Sequence, residues 1–109
     1  MTDDVVVVVS LQAAEGRGDE LIAAFEDGIV ASHGDAGCIS YAMHRDKRDP
    51  DHVVLIEHWR SQADIDAHMA QPHMGEMMKK TGAPGLLAGR PSMWFLDQVP
   101  IGDPSRGVL

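Results

Sequence analysis

The sequence predicts an α+β fold in ferredoxin-like β-α-β-β-α-β order: one four-stranded antiparallel sheet with its helices on one face. Three observations predict it. Val5 to Val9 is an unbroken run of valines, stiff at χ1 and suited to a pleated surface. Two amphipathic segments at helical spacing lie on either side of a pair of strand-like segments. That pair is separated by a short charged turn, so it reads as a hairpin.

Each element follows from local chemistry. Val5 to Gln12 reads as the first strand, apolar on both faces and therefore central in the sheet. Glu15-Gly16-Arg17-Gly18 turns the chain. Asp19 and Glu20 then stand where a helix N-terminus favours negative charge, and Leu21, Ile22, Phe25 and Ile29 form one apolar stripe. Gly28 inside this helix costs about 1 kcal/mol relative to alanine. Asp35-Ala36-Gly37 is a second turn, and Cys38 to Arg45 alternates as a strand through Ile39, Tyr41 and Met43. Asp46 to Asp51, with Pro50, is read as the hairpin loop, and His52 to Trp59 as the third strand. Ser61-Gln62-Ala63-Asp64 resembles a capping box. It opens a helix carrying Ile65, His68 and Met69, and Pro72 either ends that helix or starts another. Met74, Met77 and Met78 form a short stripe closed by Lys79, Lys80 and Gly82. Met93 to Val99 is the fourth strand.

Length makes residues 1–109 one domain, with a core of about 5–99 and a tail at 100–109. The first and third strands are apolar on both faces while the helices cover only one. A second copy is the expected cover for the open face, which predicts a homodimer. The formal net charge is −8, from 17 acidic and 9 basic residues. That balance opposes binding to nucleic acid and to anionic membrane surfaces. Cys38 is the single cysteine, so no intrachain disulfide or cysteine-based metal cluster is expected. A reducing cytoplasm is the expected compartment. Met1-Thr2-Asp3-Asp4 is acidic where a signal peptide is basic, and the valine run is too short to cross a bilayer. No phosphate-cradling glycine loop or nucleophile elbow occurs, so no nucleotide, flavin or nicotinamide cofactor is expected.

Several side chains have chemistry to offer. His68 sits on an apolar helical face, where an imidazole is either a core residue or a pocket base. His73 follows Pro72 at a helix start. The two histidines are five positions apart across a proline, which does not place them on one helix face, so no metal site is expected from the spacing. Tyr41 either packs or aims its hydroxyl into the same cavity. Trp59 can wall a pocket and stack on an aromatic ring. Glu57 stands among apolar neighbours and needs a partner if buried, with Arg90 or Arg60 the expected ion-pair partner and a substrate contact the alternative. The methionines, including Met43 and Met69, would line an adaptable site for flat apolar ligands.

The run Glu57-His58-Trp59-Arg60-Ser61, then Ala67-His68, then Pro72-His73-Met74, resembles the antibiotic biosynthesis monooxygenase family. Asp35-Ala36-Gly37-Cys38 before the second strand adds to the likeness. The resemblance covers roughly residues 5 to 99. It implies a dimeric α+β barrel and a cofactor-independent monooxygenase that oxidises an electron-rich phenol, quinol or polyketide-like aromatic with O2. The superfamily also includes haem-degrading enzymes, which use an asparagine on the first strand, and this sequence has no asparagine. Strand one offers Ser10 and Gln12 instead. The position of the family's haem-ruffling tryptophan is His68, and the asparagine position of anthrone oxygenases is Leu55. The resemblance thus implies His68, His73 and Tyr41 as catalytic residues. It implies Trp59, Glu57, Met43, Met69 and Arg90 as substrate-binding ones. A proton-transfer isomerase and a non-catalytic binding or stress-protective module are the alternatives on the same scaffold.

Overall fold

The structure is a computed structural model that describes residues 3–109. The elements run β1 (Val5–Gln12), α1 (Gly18–Ser32), β2 (Cys38–Asp46), β3 (Asp49–Trp59), α2 (Gln62–Met69), α3 (Pro72–Thr81) and β4 (Ser92–Leu96). The four strands form one antiparallel sheet in the order β2-β3-β1-β4. The two strands that are apolar on both faces, β1 and β3, are indeed the central ones.

Strand pairing sorts the side chains by face. Val7 pairs with Glu57 and Val9 with Leu55, while Tyr41 pairs with Glu57 from the other side. This face carries the helices, and Val7, Val9, Leu11, Tyr41, Val53, Leu55 and Trp59 are buried in it with Leu21, Phe25, Ile65, Met74 and Met77. The opposite face presents Val8, Val54 and Ile56 half-buried, with Trp94 and Leu96 exposed beside them. Among the described residues, no helix is long and apolar enough to cross a membrane.

Two boundaries differ from the sequence reading, and one open alternative is decided. The hairpin between β2 and β3 turns on Lys47 and Arg48 alone, because Asp49, Pro50 and Asp51 already belong to β3. Asp51 explains this: its carboxylate accepts from the Gly16 and Gly18 N–H groups, both at 2.9 Å. It caps α1 from another element, where Arg17 makes no side-chain cap. Of the two alternatives for Pro72 the structure takes the helix start, so β3 is followed by two helices, α2 and α3. β4 stops at Leu96, short of the expected Val99, as its last residues lose their partners on β1.

Gly28 has a packing reason for its cost in helix propensity. A Cβ there would overlap the Met77 side chain, so the glycine leaves room for α3 to pack against α1. Gly37 is needed for a different reason. Its φ is +80°, a left-handed conformation that penalises any Cβ. The Asp64 carboxylate, held by Arg60 and Ser61, also occupies the space a side chain would need. We therefore expect Gly37→Ala to lower stability by about 2 kcal/mol. Denaturant unfolding followed by circular dichroism should show a lower midpoint with an unchanged slope.

Candidate functional site

The site is assembled from three connections on one side of the sheet. Ser61 Oγ accepts from the Asp64 N–H at 3.2 Å and opens α2. That start puts His68 in the last turn of α2, facing the sheet and only 1% exposed. Pro72 at the first turn of α3 suits a helix start, which brings His73 up beside it. Asp35 lies in the turn between α1 and β2, where its backbone N–H donates to Ser32 and its carbonyl accepts from Cys38.

These three side chains meet at one atom. His68 Nδ1 lies 2.6 Å and His73 Nε2 lies 2.9 Å from the same oxygen, Asp35 Oδ2. The two histidines are on different helices, as their spacing requires, yet their ring centroids are 6.0 Å apart. Their spacing therefore does not keep the two histidines apart, because a carboxylate 33 residues before His68 joins them. A carboxylate can only accept here, so His68 donates through Nδ1. Its Nε2 then carries the lone pair, and it has no hydrogen-bond partner among the described residues. The same logic orients catalytic imidazoles wherever a carboxylate holds Nδ1.

His68 forms one wall of a cavity of about 150 Å³ between the sheet and the helices. Tyr41, Glu57, Leu55, Val9 and Phe25 line it, with Met69, Met74, Met77, Met78 and Met93. Met69, Met78 and Met93 are also exposed, which places the mouth of the cavity beside β4. Trp59 stacks behind His68 with ring centroids 4.5 Å apart, and Tyr41 meets His68 edge-on at 5.5 Å. Trp59 is thus a fully buried support for the imidazole rather than a cavity wall.

Among the described residues Glu57 has no arginine partner. It accepts from the Trp59 indole N–H at 2.9 Å, while Arg60 pairs with Asp64. Burial pushes its carboxyl up to about 7, with the indole hydrogen bond pulling the other way. Burial, and next the Glu57 carboxylate, push the Tyr41 phenol well above its usual range, so it remains protonated and can donate. Arg90 is exposed in the loop before β4 and lies outside the cavity lining. Met43 packs against the core, also outside the lining. Asp35 went unassigned in the sequence because Asp-Ala-Gly reads fully as a turn.

The cavity thus combines an apolar lining with two titratable groups, an oriented imidazole and a carboxyl that titrates near neutrality. Such an arrangement can bind a flat ring and move a proton.

A family model described as antibiotic biosynthesis monooxygenase matches residues 4–80, which include Asp35, Tyr41, Glu57, His68 and His73. An uncharacterized protein of Synechocystis is 31% identical over 86 residues, 79% of this chain. The chain spans only 57% of that relative's length. A solved structure described as an antibiotic biosynthesis monooxygenase has a TM-score of 0.79 at 22% identity, covering 88% of this chain and 99% of that one. A Pseudomonas aeruginosa protein has a TM-score of 0.78 at 24% identity, covering 91% and 97%. At these identities the two structures establish the fold.

Glu57 gives the site a pH signature. Its folded pKa of about 7 lies above the ordinary value of 4.5. The folded state therefore holds the proton more tightly, and stability falls as pH rises from about 4.5 to about 7. The full loss, by about 3 kcal/mol at most, is reached above pH 7. Glu57→Gln keeps an acceptor for Trp59 and removes the titration. Urea unfolding between pH 5 and pH 8 should show the parent losing stability relative to this variant as pH rises.

Proposed function

This chain belongs to the antibiotic biosynthesis monooxygenase family, and on that premise we propose that it oxidises an electron-rich phenol or quinol with O2, without a cofactor. The observation that carries this reading is the Asp35–His68 pair at the wall of an apolar cavity. Asp35 fixes the tautomer, so Nε2 is the basic nitrogen available to a substrate hydroxyl. Tyr41 lines the same cavity and in this reading donates to a substrate oxygen, while the methionines adapt to the ring. His73 shares Asp35 and holds the carboxylate in place.

The chemistry needs little more. O2 is a triplet and reacts slowly with closed-shell molecules, whereas an electron-rich phenolate can give up an electron to it. The protein binds the ring, excludes water, removes the proton and keeps the anion beside oxygen. The balance closes with the substrate as the reductant. A phenol loses its O–H and one ring C–H hydrogen, one oxygen atom enters as the new quinone carbonyl, and the other leaves as water.

A second reading is favoured by Glu57. With His68 and a carboxyl titrating near neutrality lining one cavity, the site could also move a proton between two carbons of a bound substrate, as an isomerase does. Oxygen consumption separates the two readings, since an isomerase turns over under anaerobic conditions.

We expect His68→Ala to lower oxygen-dependent turnover of a reduced quinone by about 10²–10⁴-fold, the range for loss of a general base. Asp35→Asn should act in the same direction through a misoriented imidazole. The rate in the parent should rise with pH, and the part of that rise that survives Glu57→Gln should vanish in His68→Ala. Unchanged turnover per folded protein in His68→Ala would remove the histidine from the chemistry.

The working unit in this reading is a homodimer. Val8, Val54, Ile56, Trp94 and Leu96 form an apolar face that no helix of the chain covers. A second copy packing the same face about a two-fold axis would bury it. Light scattering at micromolar concentration should give twice the 11.8 kDa chain mass. A stable monomer under those conditions would contradict the assembly.

A further inference from the structure

Asp35, His68 and His73 meet in a way that a single hydrogen-bonded pair does not require. Two ring nitrogens and one carboxylate oxygen lie within 4.8 Å of one another. We propose that these three side chains form a binding site for one divalent transition-metal ion of the zinc or cobalt class, which takes the place of the two hydrogens now shared with Asp35 Oδ2.

The donor set points to that class of ion. Imidazole nitrogen and carboxylate oxygen suit zinc and its neighbours, while calcium and magnesium demand oxygen ligands throughout. Each donor is anchored separately, by the α1–β2 turn, the capped helix α2 and the Pro72 start of α3. The present contacts of 2.6 and 2.9 Å have to open to about 3.4 Å, the separation of two donors about 2.1 Å from a tetrahedral ion. Rotation of the Asp35 and His73 side chains, which are less buried than His68, has to supply that change.

The ion also has a way in. His73 is 23% exposed and lines a second cavity between α1 and α3, of about 240 Å³, with Asp27, Glu76 and Lys80. Asp27 and Glu76 favour a cation there, and the Lys80 ammonium is held 3.0 Å from Asp27. Asp35 and His68 lie deeper, with side chains 8% and 1% exposed, so an ion entering past His73 reaches donors already stripped of water. Three protein donors leave a fourth position for water.

This site goes beyond the proposed oxidation and does not depend on it. An ion on Nδ1 of His68 moves the ring hydrogen to Nε2, so a loaded chain would have no base at that position. Metal and base are alternative uses of one imidazole.

The test is metal binding to the whole chain after EDTA treatment and dialysis. Titrated Co2+ should develop the intense visible absorption of a four- or five-coordinate ion. Calorimetry with Zn2+ should give one ion per chain with a micromolar or tighter Kd. His73→Ala and Asp35→Asn should each weaken binding by more than about tenfold. His52→Ala, which removes the His–Asp pair formed with Asp46, should leave it unchanged. Thermal unfolding supplies a check on folding, because Zn2+ should raise the Tm of the parent and not of His73→Ala. A Co2+ spectrum that stays that of the hexaaqua ion would overturn the site. So would binding retained in both variants, or lost in His52→Ala. None of these outcomes bears on His68→Ala turnover, so the metal site and the base can fail separately.

Discussion

One carboxylate oxygen organises the functional half of this molecule. Asp35 Oδ2 accepts from two imidazoles that arrive on two different helices, and it stands on a turn leading into the sheet. Removing it would leave two imidazole N–H groups without their acceptor, one of them in the core. Buried donors without partners cost about 1–3 kcal/mol each. The contact therefore holds the end of α2 and the start of α3 against the α1–β2 turn, and so fixes the back wall of the cavity.

A second polar contact holds the other side. Glu57 and the Trp59 indole point to the same face of β3, two residues apart, and bond to each other at 2.9 Å. Trp59 in turn stacks on His68. The two polar clusters are thus joined through aromatic packing rather than through hydrogen bonds. The imidazole is clamped by a carboxylate at its edge and an indole on its face, with only one nitrogen left for a ligand. That economy explains how an otherwise apolar cavity can hold two titratable groups without a compensating arginine.

Much of this was legible in the sequence, for identifiable reasons. The valine run and the apolar residues of β3 announced central strands because burial on both faces leaves no alternation. His68 and Trp59 stood out because a polar or aromatic side chain on an apolar face must find a use. Local patterns failed where a residue serves a distant element. Asp35 is indistinguishable from an ordinary turn aspartate until α2 and α3 are folded onto it. Asp51 was placed in a loop for the same reason, since its task is to cap a helix 33 residues earlier. Gly28 registered only as a weak helix former, and Met77 across the interface is what makes it necessary. A charged partner for Glu57 was a sound expectation for a buried carboxylate, but a neutral indole and a raised pKa met the same need.

The methionine lining has a chemical price of its own. Met69, Met74, Met77, Met78 and Met93 line the cavity, which under the proposed oxidation is where a reduced aromatic would meet oxygen. Any peroxide released there encounters thioethers before it encounters bulk water. A sulfoxide is polar and chiral, so each one would roughen a surface whose value lies in being soft and apolar. The chain would age from the inside, losing its grip on flat ligands while the sheet and its helices stayed intact.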